Sequence, residues 1–175
     1  MKILFDYFFA VFGLVLFFPI FVLISLLIKL SSKGPIFFIQ KRIGQNGDGF
    51  NIIKFRTMYC DHQSNQTITI YNDKRITRVG LFLRNYKLDE LPELINIIKG
   101  EMSFVGPRPD VEGYADKLKG EDKLILRLKP GITGPASLKY ANEEQILSNV
   151  ENPQKYNDNV IFPDKVRLNL EYYYN

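Results

Sequence analysis

Asp89 and Glu90 stand side by side at the head of an apolar run, and Arg108 is held between two prolines in Gly106-Pro107-Arg108-Pro109. Paired carboxylates and a stiffly presented guanidinium suit chemistry on phosphate. An ionised carboxylate serves as acceptor, metal ligand or nucleophile, and an arginine with little backbone freedom offers its fork at small entropic cost. The ordinary reading stands beside this one. Asp89 is a candidate N-cap for a helix that carries Leu91, Leu94, Ile95 and Ile98 on one face, with Pro92 in its first turn. In that position the helix dipole and free backbone N–H groups keep the carboxylate ionised.

Further cations lie upstream. Lys54 and Arg56 sit two apart in an apolar run from Phe50 to Met58, so a strand there puts both on one face and Ile53 and Phe55 on the other. They form either a solvated edge face or a pair directed at one phosphate-bearing ligand. Arg84 lies five residues before Asp89, within reach of the same pocket or of its own helix end.

These residues require elements to position them. Ile36 to Gln40 and Phe50 to Met58 read as a hairpin around Gly44 to Gly49, followed by a polar loop from Asp61 to Asp73 and a helix from Ile76 to Tyr86. An amphipathic helix is expected over 110–128, weakened at Gly113 and Gly120, then a rigid loop over 130–135 and a short terminal helix after Pro163. Tyr172, Tyr173 and Tyr174 are expected to pack or to sit at a membrane interface.

The N-terminus is of another kind. Tyr7 to Ile28 carries no charge and is built from Phe, Leu, Ile and Val, long enough to reach ~33 Å as one helix. Pro19 lies near its middle, and basic residues flank both sides, Lys2 before and Lys29, Lys33, Lys41 and Arg42 after. A kinked span and a re-entrant helix with both ends on one side are both open on these grounds.

The net charge of +4 conceals an asymmetry: 11 Lys/Arg against 3 Asp/Glu from Lys29 to Lys87, and 11 against 15 from Leu88 onward. A basic half next to an apolar segment attracts anionic lipid or an anionic substrate. A membrane-anchored scaffold that holds anionic lipid is the alternative to an enzyme, while no nucleic-acid-binding module is visible. One cysteine, Cys60, excludes an internal disulfide, and one histidine, His62, argues against a zinc site. A metal here would be held by carboxylates and phosphates, which suits magnesium.

Together these motifs resemble the monotopic phosphoglycosyl transferases of the bacterial sugar transferase family. The resemblance runs through the apolar start with its mid-helix proline, Lys54-Phe55-Arg56-Thr57-Met58, Leu88-Asp89-Glu90-Leu91-Pro92, the stretch from Lys99 to Pro109, and Lys129-Pro130-Gly131-Ile132-Thr133-Gly134. It implies an α+β, mainly helical fold: a re-entrant membrane helix broken at Pro19, a small β-hairpin, and several amphipathic helices at the membrane interface. Residues 1–33 would form the membrane helix and flank, and 34–175 a catalytic domain on the cytoplasmic face of the bacterial inner membrane.

It also implies transfer of a sugar 1-phosphate from a nucleoside diphosphate sugar, usually a UDP-sugar, to polyprenol (undecaprenyl) phosphate, with release of UMP. Asp89 would be the nucleophile with Glu90 beside it, both also placed to hold Mg2+, and Arg108, Arg84, Lys54 and Arg56 would bind phosphate. A homo-oligomer and association with later glycosyltransferases are compatible with it. Three positions depart from the family pattern: Phe18 where relatives often have Ser, Ala141 where many have Arg, and Asn169 where many have Asp. Some relatives also continue past the point that matches Asn175.

Overall fold

The computed structural model describes residues 1–60 and 73–175. The expected polar loop, His62 included, therefore lies outside the described residues except for Asp73. The described residues fall into two compact units, one comprising 1–41, 51–60 and 74–103, the other 42–50, 73 and 104–175.

Helix α1 (Lys2–Ser31) dominates the first unit and is, among the described residues, the one helix long and apolar enough to cross a membrane. It is uninterrupted. Pro19 lies inside it rather than between two helices, so the proline removes one backbone hydrogen bond without ending the element. A stripe of buried residues, Asp6, Ala10, Gly13, Ile24 and Ile28, follows the helical period along one face, while Phe8, Phe12, Val15, Leu16, Phe18 and Leu23 stay exposed. The buried stripe is the side that packs on protein. Gly13 belongs to it because a Cβ there would lie 3.3 Å from Leu94 Cδ1.

Strands β1 (Phe37–Ile43) and β2 (Gly49–Phe55) pair as the expected hairpin around a 3-10 turn, Gln45–Gly47. Helix α2 (Arg78–Asn85) is capped by Thr77, whose hydroxyl accepts from the Gly80 amide at 2.8 Å. Phe55, Leu83, Ile24 and Ile28 form the core of this unit, with Phe21 set against Phe55 at 5.2 Å between ring centroids. Helix α3 (Glu93–Ile98) follows, and its buried Asn96 ties it to β2. The Asn96 side chain accepts from the Ile53 amide at 3.0 Å and donates to the Asn51 carbonyl and the Glu101 carboxylate, each at 2.7 Å.

In the second unit the sequence reading needs two corrections. The segment 130–135 is not loop throughout, because Gly131–Thr133 forms strand β4 against β3 (Ser103–Val105). Glycine makes this pairing close: a Cβ on Gly106 would stand 2.1 Å from the Lys129 carbonyl oxygen, and one on Gly131 would stand 2.2 Å from the Gly106 amide nitrogen. The expected helix over 110–128 is instead two 3-10 segments, Ala115–Lys117 and Gly120–Arg127. Gly113 and Gly120 adopt φ of +102° and +58°, values that interrupt an α-helix.

Short helices α4 (Pro135–Lys139), α5 (Glu143–Ser148) and α6 (Pro153–Tyr156) lead through a π turn into α7 (Phe162–Tyr174), the expected terminal helix. It covers a core of Ile43, Ala115, Ile125, Leu126 and Val166. Tyr173 and Tyr174 are tied by their hydroxyls: Arg127 donates to Tyr173 at 3.2 Å, and Tyr174, 60% exposed, donates to Glu121 at 2.6 Å.

Asn96→Ala removes a fully buried group with three polar partners and should lower stability by about 2 to 3 kcal/mol. Thermal unfolding of the protein in lipid nanodiscs measures this.

Candidate functional site

The carboxylate pair sits on a turn. Lys87 adopts the left-handed conformation, φ 56°, and Leu88–Glu90 then form a single 3-10 turn before Pro92 opens α3. Asp89 is thus not the N-cap of α3, which has no side-chain cap. The capping expectation fails because the turn and Pro92 intervene between the acid and the helix.

Within the first unit, Lys54 meets this turn. Its ammonium donates to Glu90 Oε1 at 2.8 Å and lies 3.1 Å from Glu93 Oε1. Glu93 was not singled out from the sequence, where it reads as an ordinary first-turn acid. The available signal was its spacing, three residues after Glu90 and so on the same side of a tight turn.

Asp89 is the unusual carboxylate. Burial pushes its pKa above the ordinary aspartate range, Lys54 pulls it back, Glu90 raises it, and Arg84 and Lys87 lower it. Its Oδ1 is enclosed and accepts no hydrogen bond among the described residues. A buried carboxylate oxygen without a donor is a destabilising feature unless something else occupies its lone pairs. Asp89 is therefore not held ionised by a helix end; neighbouring cations offset a burial that favours its neutral form.

The expected cationic pair is divided. Arg56 is buried and donates to the Ser32 carbonyl at 2.9 Å, to the Lys33 carbonyl, and to Cys60 Sγ at 3.2 Å. It serves two carbonyls just past the end of α1. β2 ends at Phe55, although the Arg56 amide still donates to the Ile36 carbonyl at 2.9 Å, so the two side chains are separated by the partners each finds. Arg84 lies in the last turn of α2, and its charge lowers the Asp89 pKa.

Arg108 belongs to the second unit. With Asp110 and Asn169 it lines a cavity of about 20 Å³, whose other walls include Pro107, Pro109 and Leu126. Asn169 is 6% exposed and its Oδ1 has no hydrogen-bond partner among the described residues. Burial raises the Asp110 carboxyl to about 6 against the opposing charges of Lys165, Arg42 and Arg108.

No group of three or more His, Cys, Asp or Glu side chains suited to a metal occurs among the described residues. Magnesium commonly takes one or two carboxylates and completes its shell with water and substrate phosphate. The enclosed Asp89 Oδ1 with Glu90 beside it fits that pattern.

Against known proteins, the profile of the family described as bacterial sugar transferase matches residues 1–175. The chain belongs to the bacterial sugar transferase family. The exopolysaccharide production protein ExoY of Rhizobium meliloti (strain 1021) is 38% identical over 179 aligned residues, covering 93% of this chain and 79% of the relative. The undecaprenyl-phosphate glucose phosphotransferase of Komagataeibacter xylinus is 39% identical over 73% of this chain. A UDP-N-acetylgalactosamine-undecaprenyl-phosphate N-acetylgalactosaminephosphotransferase of Aeromonas hydrophila is 38% identical over 74%. The aligned parts make up 26% and 31% of those two longer proteins. As a bacterial sugar transferase with an apolar N-terminal helix, the chain is a membrane-associated transferase.

The raised pKa of Asp89 has a stability consequence. An acid whose folded pKa exceeds its unfolded one costs stability fully at pH above the folded pKa, and the cost disappears below the unfolded value, about 4. Asp89→Asn should therefore unfold at a higher temperature than the wild type at pH 7, with the gap closing near pH 4. Melting curves across pH check both parts.

Proposed function

We propose that the protein transfers a sugar 1-phosphate from a UDP-sugar to a polyprenol phosphate, through a covalent intermediate on Asp89. The observation that carries this reading is the enclosed Asp89 carboxylate, whose Oδ1 has no hydrogen-bond partner and which lies among Lys54, Arg84 and Lys87. Hydrogen bonding would occupy the lone pairs a nucleophile needs; burial keeps water from them, and the cations lower the cost of bringing an anionic diphosphate close. The names of the relatives supply the acceptor and the class of donor.

In the first step a carboxylate oxygen of Asp89 attacks the phosphorus nearest the sugar. The pyrophosphate P–O bond breaks, and UMP leaves with the bridging oxygen. In the second, a phosphate oxygen of the polyprenol phosphate attacks the same phosphorus, and the acyl phosphate bond to Asp89 breaks. The lipid diphosphate sugar is released and the carboxylate is restored. Asp89 and Glu90 would hold Mg2+, which supplies charge neutralisation on the diphosphate when bound. Arg84 supports the same neutralisation from α2, and Arg108 is assigned to phosphate by the family motif. The relatives carry glucose in one case and N-acetylgalactosamine in another, so the sugar is left to a donor screen.

We further propose that α1 enters and leaves the membrane on one face. Asp6, in its second turn and 7% exposed, accepts a hydrogen bond at 2.8 Å from Ser103, which is 1% exposed. At its other end Ile24 and Ile28 pack on Phe55 and Leu83. Both ends of the helix thus contact the same folded unit, which favours the re-entrant form over a span. The outer face of α2 supports an interfacial placement: Leu81, Phe82 and Tyr86 are exposed, with Arg78 and Lys87 also exposed at its two ends. The inner bacterial membrane, with the catalytic part in the cytoplasm, is where both substrates meet.

Incubated in nanodiscs with Mg2+ and a panel of UDP-sugars, the wild type should release UMP with one of them and acquire a phosphosugar mass on an Asp89 peptide. Asp89→Asn should lose both, by at least ~10³-fold in rate; full activity in that variant rules out the covalent route. Cysteines placed at Lys2 and at Lys33 should both be labelled by an impermeant reagent only from the cytoplasmic side. Labelling of the first from outside instead establishes a span.

A further inference from the structure

Two buried acids meet at Lys54. The side chains of Glu90 and Glu93 are 9% and 2% exposed, and both approach its ammonium, at 2.8 and 3.1 Å.

The two contacts differ in kind. Lys54 makes an aligned hydrogen bond with Glu90, whereas Glu93 Oε1 lies within ion-pair distance of the ammonium without hydrogen-bond alignment. Their supports differ as well. Glu90 ends the 3-10 turn that carries Asp89, while Glu93 is the first residue of α3. Asn96 pins α3 to residues 51 and 53 of β2, the strand that bears Lys54. The distance between Glu93 and Lys54 is thus set by a rigid strand-to-helix tie, and the distance between Glu90 and Lys54 by a turn.

We infer that Glu93 is a positioning residue: it fixes the Lys54 ammonium beside Asp89 when Glu90 exchanges its hydrogen bond with Lys54 for contacts made during the reaction. The inference rests on the function proposed above. A lysine has four rotatable side-chain bonds and, tied to Glu90 alone, would follow that carboxylate wherever it turned. Held also from α3, the ammonium keeps its place, and its charge stays where negative charge develops on the phosphate under attack. At 2% exposure Glu93 is shielded from the donor, and Lys54, 3.1 Å away, links it to the site.

The test compares wild type, Glu93→Gln and Glu93→Asp in nanodiscs, with the UDP-sugar that the wild type turns over. For each, kcat, donor KM, the rate of the first UMP release and the melting temperature are measured. Glu93→Gln should lower kcat and the first UMP release together by ~10 to 100-fold, with KM within twofold of wild type. Glu93→Asp keeps the charge on a shorter arm and should recover part of the loss. A fall in melting temperature with kcat per folded enzyme unchanged would make Glu93 merely structural and overturn the inference. A raised KM at constant kcat would overturn it too, by making Glu93 a donor contact. If Glu93→Gln does not fold, Glu93→Asp carries the test, with a kcat loss at constant KM expected and wild-type kcat overturning it. Wild-type turnover with insensitive variants refutes this inference alone, whereas wild type inert toward every donor refutes the parent function and this inference with it.

Discussion

One ammonium group organises the first unit's polar interior. Lys54 Nζ joins β2 to the turn and helix that follow it by meeting Glu90 and Glu93, and it also opposes the burial that would neutralise Asp89. Without that charge Asp89 would lose the largest of the influences that oppose its burial. Breaking a buried pair by removing one partner typically costs about 3 to 5 kcal/mol. The neutral ties around it, chiefly those of Asn96, keep the strand and α3 in register so that the ammonium has a fixed place to stand.

Arg56, just past the end of the same strand, does comparable work. Its guanidinium gathers carbonyls of Ser32 and Lys33 just past α1, while Lys29 reaches the Gly34 carbonyl at 2.9 Å. Two neighbouring cations on one short sequence motif thus have distinct tasks, one inside the carboxylate cluster and one at a helix end. Substituting lysine for Arg56 would forfeit the forked geometry that lets a single group serve several acceptors.

Much of this was legible in the sequence. The apolar helix, the hairpin, α2, the terminal helix and the prominence of Asp89 and Glu90 all followed from period, punctuation and motif. What escaped had a physical cause in each case. Residues 131–133 pair as a strand because glycines on both sides allow main chains to approach, a property of two distant segments together. Arg56 was paired with Lys54 in the sequence because its acceptors, the Ser32 and Lys33 carbonyls, lie more than twenty residues away. Asp6 was not singled out from the sequence, and the Ser103 hydroxyl that it accepts from lies far along the chain. Glu93 looked like routine helix chemistry until Lys54 was set against it. Local pattern carries local structure, and the errors lie where a distant residue decides.

The stripe on α1 has a consequence for how the protein is made. In chain order the helix precedes the residues that complete its buried face: Phe55, then Leu83, Leu94 and finally Ser103. During synthesis α1 therefore waits for partners that emerge later, the last of them 97 residues beyond Asp6. The helix and the unit that packs on it consequently complete their folding as one event rather than two.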